Sequence, residues 1–174
     1  SRRRVTISTS GLVPQIRKLA DHLNVSLAIS LHAPFDELRD ELVPINRIHP
    51  IESLLDACWY YAKKQNLKNV TFEYTLLKNV NDLPEHAKQL AKLLKNKSAK
   101  VNLIPFNKFP GTVYEPTPTD QINEFRNILL ESGIMAITRT TRGDDIQAAC
   151  GQLSGTVNNL AKKSLRQKLK KTLN

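Results

Sequence analysis

The sequence predicts an α/β fold, a parallel sheet of about five strands joined by crossover helices. Three observations predict it. Strand-like and helix-like segments alternate along the chain. The helical stretches run to about 10–15 residues, the length of the crossovers that parallel neighbours require. Polar residues gather just after each strand-like run, where a βα fold places its ligand-binding groups.

The elements follow in order. "RVTISTSG" alternates, is rich in β-branched residues and reads as a strand ending at Gly11. In "LVPQIRKLADHL" the apolar positions Leu12, Ile16, Leu19, Ala20 and Leu23 have helical spacing. "VSLAISL" is almost continuously apolar, as expected of a strand buried on both faces. "PFDELRDELVPI" gives a short helix stopped before Pro44. "IESLLDACWYYAKKQN" is a longer helix and "NVTFEYTLL" a third strand. "LPEHAKQLAKLLKN" is a helix with Pro84 at its start, where a missing N–H does no harm. "AKVNLIPF" is a fourth strand. "TPTDQINEFRNILLESG" is a helix with Thr117 as its N-cap, Pro118 in first position and Gly133 as its stop. "IMAITRT" closes the order as a fifth strand. Right-handed crossovers would curl such strands into a barrel or leave an open doubly wound sheet. No glycine-rich dinucleotide fingerprint follows any strand, which counts against a nicotinamide enzyme.

At 174 residues the chain can build one real core, and a 40% hydrophobic content suits a soluble globular protein. No apolar run approaches the ~18 residues that span a bilayer, and the basic start "SRRRVTISTS" has no apolar region behind it, so neither a membrane span nor a signal peptide is expected. The chain begins without Met, in a strand-like pattern, as a piece of a longer protein would. Two cysteines, Cys58 and Cys150, are too few for a disulfide scaffold, which favours a reducing, cytoplasmic setting. They also fall short of an all-cysteine metal or iron–sulfur site, so no metal ligand is assigned.

The net charge of +10 sits at the ends. Lys162, Lys163, Arg166, Lys168, Lys170 and Lys171 lie beyond Thr156 with no acid among them, and Arg2, Arg3 and Arg4 open the chain. The stretch between is nearly neutral. Basic ends suit a polyanion such as nucleic acid; a solvated tail is the plainer reading. The expected division is a body over residues 1–157 and a basic tail, helical or disordered, over 158–174.

Five strand ends would meet on one rim: "STSG", "SLHAP", "LKNVND", "IPFNKFPG" and "RTTRGDD". They offer Ser8, Ser10, Ser30, His32, Asn79, Asn81, Asn107, Arg139 and Arg142 to a ligand. For single residues plainer readings stand beside that one. Asn107 suits a turn, and His32 could be a satisfied structural histidine. Cys58, in "DACWYY" on an apolar helix face, reads as core. Cys150, between Ala148–Ala149 and Gly151 in "RGDDIQAACGQLSG", reads as presented rather than packed.

"ISTSG", "ISLHAP", "NLIPFN", "FPG" and above all "TRGDDIQAACGQL" together resemble one family, the RlmN-type radical S-adenosylmethionine methyltransferases that methylate carbon 2 of adenosine in ribosomal and transfer RNA. The likeness runs from about Arg3 to Val157. It implies the later part of a partial (βα) TIM-like barrel, with the [4Fe-4S] cluster held by an upstream CxxxCxxC motif that this chain lacks, as it lacks the glycine-and-glutamate segment for the methionine end of the cofactor. It implies that Cys150 is a covalent methyl carrier, methylated by one S-adenosylmethionine and activated by a radical made from a second at the cluster. Carbon 2 of adenine is electrophilic, so ordinary transfer fails there, whereas a thiolate readily accepts a methyl. It implies S-adenosylmethionine contacts from Ser8, from Ser30, Leu31 and His32, and from Asn107. The partners implied are ribosomal RNA, transfer RNA and a reducing electron donor; a monomer and no membrane are expected. Arg139 and Arg142 could contact RNA phosphate or pair with Asp144 or Asp145. The sister carbon-8 methyltransferases share much of the pattern. A non-catalytic RNA-binding module, or a thiol enzyme acting on a small phosphorylated substrate, would be the other classes.

Overall fold

A computed structural model describes residues 5–139. The chain divides into two compact units, one of Ser1–Lys108 with Val113–Thr140 and one of Phe109–Thr112 with Thr141–Asn174. In the second, the described residues form a turn in which the Thr112 N–H donates to the Phe109 carbonyl. The first holds every element below. The expected boundary between 157 and 158 lies outside the described residues.

The order is β1 (Thr6–Thr9), α1 (Val13–His22), β2 (Ser26–Ser30), α2 (Asp36–Leu42), a 3-10 turn (Pro44–Arg47), α3 (Ile51–Lys64), β3 (Val70–Leu76), α4 (Pro84–Leu94), β4 (Ala99–Pro105), α5 (Thr119–Glu131) and β5 (Met135–Thr138). The five strands form one sheet in the order β1-β2-β3-β4-β5. Every neighbouring pair is parallel. The expected α/β class and strand number therefore hold.

Alternation sorts the sheet into two faces. On β3, Val70, Phe72, Tyr74 and Leu76 are buried while Thr71, Glu73 and Thr75 are only partly so. The buried set packs with Leu27, Ile29, Val101 and Leu103 against Ile16 of α1, Leu54 and Cys58 of α3, Leu90 of α4 and Phe125 of α5. The register places Ser30, Glu73 and Asn102 in one row across the other face. None of that row belongs to the core cluster, and Met135 and Ile137 of β5 continue the same face as exposed apolar residues.

Two local expectations change. β2 was expected to be buried on both faces; Leu27, Ala28 and Ile29 are, but Ser26 and Ser30 at its ends are half-buried, because their face carries the polar row. Thr117 was expected to cap α5. The helix instead starts at Thr119 behind Pro118 and has no side-chain cap, because the Thr117 hydroxyl donates to the Asp82 carboxylate at 2.8 Å. Gly133 does stop α5. Its φ of +79° lets the Ile134 N–H reach back to the Leu129 carbonyl at 2.9 Å.

Candidate functional site

The carboxyl ends of β1, β2 and β3 build a polar rim from main chain and side chain together. Glu73, at the middle of β3, is its centre. The Ser8 hydroxyl donates to Glu73 Oε2 at 3.4 Å, and Arg139 Nη1 lies 3.8 Å from Oε1. Ser30 is the strand partner of Glu73 and shares its face.

Beyond Ser30 the chain turns sharply. Leu31 has no exposed surface and packs in the core, so its side chain is on the helix side of the sheet. Its N–H donates to the Glu73 carbonyl and its own carbonyl accepts from Arg39 Nε. His32 takes up a left-handed conformation, φ +58°. Its Nδ1 accepts the Thr75 N–H at 3.1 Å, and its carbonyl accepts from Asn81 Nδ2 at 2.8 Å. Burial, helped by the nearby Arg39 charge, lowers the His32 pKa to about 4. The ring is therefore neutral near pH 7. With Nδ1 an acceptor, the proton sits on Nε2, which leaves His32 a donor on a half-buried ring.

Asn81 supports this rim rather than lining it. Its side chain is fully buried, donating to the His32 and Thr75 carbonyls and accepting the Leu77 N–H. Asp82 next to it accepts from the Asn79 N–H and the Thr117 hydroxyl. Asn107 is exposed just past β4. The acid that Arg139 meets among the described residues is Glu73. Cys150 and Arg142, with Asp144 and Asp145, lie outside the described residues.

The rim thus brings Ser8, Ser30 and His32 together, and Glu73 joins them, a residue that sequence reasoning passed over. Its one signal was an acid inside the alternating run "TFEYT", on the face opposite the aromatics. A second overlooked residue, Arg39, lies wholly buried behind the rim. Cys58 is core, as expected, and burial pushes its thiol up to about 12, so it stays protonated and inert. A mostly apolar groove of about 580 Å³ runs between β1 and α1, where Ser8, Gln15, Lys18 and His22 join Ile7, Leu12, Ile16, Leu19 and Leu23. Its lining suits packing rather than a polar ligand.

The donor set on the rim fits a nucleoside-like ligand: hydroxyls from Ser8 and Ser30 and an N–H from His32 for ring nitrogens, a carboxylate from Glu73 for sugar hydroxyls. It does not fit an iron–sulfur cluster. Among the described residues no group of His, Cys, Asp or Glu could hold a metal, and the one cysteine there is buried. No helix among them is long and apolar enough to cross a membrane.

No protein-family model matches the chain. It is 55% identical over 167 residues to the dual-specificity RNA methyltransferase RlmN of Pseudomonas entomophila, a match taking in 95% of this chain and 44% of that protein. RlmN of Pseudomonas putida matches at the same identity and coverage. The chain thus spans less than half the length of these relatives. Among solved structures, a radical SAM methyltransferase from Sphaerobacter thermophilus superposes with a TM-score of 0.83 at 48% identity, over 87% of this chain and 45% of that one. A domain of pyruvate-formate lyase-activating enzyme from Bacteroides vulgatus has a TM-score of 0.61 at 16% identity, over 78% of this chain and 80% of that one, and shares the fold alone. Along nearly its whole length, then, this chain is the counterpart of part of an RlmN-type radical S-adenosylmethionine methyltransferase.

Proposed function

We propose that the chain is part of an enzyme that methylates carbon 2 of adenosine in ribosomal and transfer RNA, with Cys150 as the methyl carrier. The observation that carries this reading is the 55% identity over 95% of the chain to proteins named dual-specificity RNA methyltransferase RlmN. The same name favours carbon 2 over the sister carbon-8 reaction. The working partners are ribosomal RNA, transfer RNA and a reducing donor, in the cytoplasm.

S-adenosylmethionine supplies the methyl group. Glu73 would accept from its sugar hydroxyls, and the Ser8 and Ser30 hydroxyls and the His32 Nε2–H would donate to acceptors on its base. Asn107, past the end of β4, would add an amide contact, and the backbone bend at Leu31 would set the His32 ring toward the ligand. The Cys150 thiolate would accept the methyl, its sulfur forming the new S–C bond as the sulfonium bond breaks and S-adenosylhomocysteine leaves, and would present that methyl beside the adenine ring. Small neighbours, Ala148, Ala149 and Gly151, leave room for that approach. The cluster expected of this class would take its ligands from outside the described residues.

Cys150→Ser in the full-length enzyme tests the carrier role. A serine hydroxyl has far too high a pKa to accept the methyl at neutral pH. The variant should bind S-adenosylmethionine as the unmutated enzyme does and place no methyl on protein or RNA. In the unmutated enzyme, mass spectrometry should find a methyl on Cys150. Methylated adenosine made by the serine variant would end the proposal.

A further inference from the structure

Arg39 leads the fully buried side chains by volume, and it is charged. Its guanidinium makes four hydrogen bonds. Nε donates to the Leu31 carbonyl at 3.1 Å, Nη1 to Asn46 Oδ1 at 2.8 Å, and Nη2 to the carbonyls of Ser10 at 2.8 Å and Ser30 at 3.1 Å. Three of the four acceptors are main-chain carbonyls at the carboxyl ends of β1 and β2. Arg39 belongs to none of the ion pairs among the described residues. The nearest compensation comes at one remove, where Asn46 Nδ2 donates to the carboxylates of Asp36 at 2.9 Å and Asp40 at 2.7 Å.

A buried cation with no anion in contact is costly, and an apolar side chain of similar volume would be the cheaper filler. What a guanidinium adds is geometry. Its N–H groups diverge in a fixed plane, so it satisfies three carbonyls only when both strand ends lie at one relative height. The β1 end wraps closely over it. Gly11 has φ +114°, and a Cβ there would stand 3.2 Å from Leu54 and 3.4 Å from Arg39 Nη2. The β2 end passes directly from the clamped carbonyls of Ser30 and Leu31 into the left-handed His32.

We propose that Arg39 is a positioning residue: its planar fork locks the ends of β1 and β2 in one register and thereby sets Ser8, Ser30 and His32 toward S-adenosylmethionine. The inference rests on the function proposed above. A lysine keeps the charge but loses the fork, so Arg39→Lys separates geometry from electrostatics.

The test uses the full-length methyltransferase with its cluster reconstituted. S-adenosylmethionine affinity is measured by equilibrium dialysis without reductant, KM and kcat are measured in turnover, and folding is checked by cooperative urea unfolding. Folded Arg39→Lys should bind the cofactor about tenfold or more weakly. KM should rise in step while kcat at saturating cofactor stays within about threefold. Wild-type affinity in the folded lysine variant overturns the proposal, as does a fall in kcat at unchanged KM, the sign of a residue that only stabilises. Should Arg39→Lys not fold, Asn46→Ala keeps the guanidinium but removes the acceptor that orients Nη1. It should weaken binding in the same direction by about threefold, and unchanged affinity overturns the proposal. An unmutated enzyme that does not bind S-adenosylmethionine removes the functional reading itself; loss in the variants alone supports Arg39.

Discussion

His32 joins the proposed ligand contact and stability in one ring. Its folded pKa of about 4 lies below the ordinary 6.5 because burial and Arg39 disfavour the charged form. The unfolded chain therefore binds the extra proton first as pH falls. The stability contributed by neutral His32 is complete above about pH 6.5 and drains away on acidification toward pH 4, approaching roughly 3 kcal/mol. His32→Asn keeps a residue that tolerates positive φ but cannot titrate. Urea unfolding across this range should show the native chain losing stability relative to the asparagine variant. Parallel curves would mean that the ring ionises freely in the folded state. The sequence showed His32 as a strand-end polar residue. It did not show which of the two readings, ligand donor or satisfied structural group, would apply. Among the described residues the structure shows the structural role, with Nδ1 accepting from Thr75; the ligand role of Nε2–H belongs to the proposed function.

The joint between β2 and β3 rests on Asn81, which bonds the His32 and Thr75 carbonyls through its two N–H donors. Asn81→Asp is nearly isosteric but turns an oxygen toward two carbonyls and buries a charge. It should destabilise by about 3 kcal/mol, read as a lower urea midpoint at unchanged m value. A loss under about 1 kcal/mol would show the joint to be held by packing. At this scale the strands and helices were legible because period 2 and period 3.6 report burial on one face directly. Thr117 misled because a hydroxyl before Pro118 has the look of a cap, and only tertiary placement beside Asp82 redirects it. Arg39 was hidden for a similar reason. In "DELRDEL" a cation among acids reads as solvated, and its burial depends on strand ends distant in sequence. Glu73 sat in a strand pattern that was read for its apolar positions.

At the scale of the whole molecule, charge and topology lead to separate consequences. The six Lys and Arg beyond Thr156 should bind RNA without sequence preference. Log affinity for single strands should fall with log salt at about −0.7 per phosphate contact, and truncation after Asn159 should flatten that slope. An unchanged slope would make the tail a bystander. Topology bears on how the chain comes to be folded at all. Spatial order in the sheet equals order along the chain, and each strand pairs with the one made just before it. During synthesis each of β2 to β5 therefore emerges to find its neighbour already made, with one connection to close, the longest holding both α2 and α3. The sheet can grow on the ribosome by accretion, one βα unit at a time, and need not wait for a distant segment to begin.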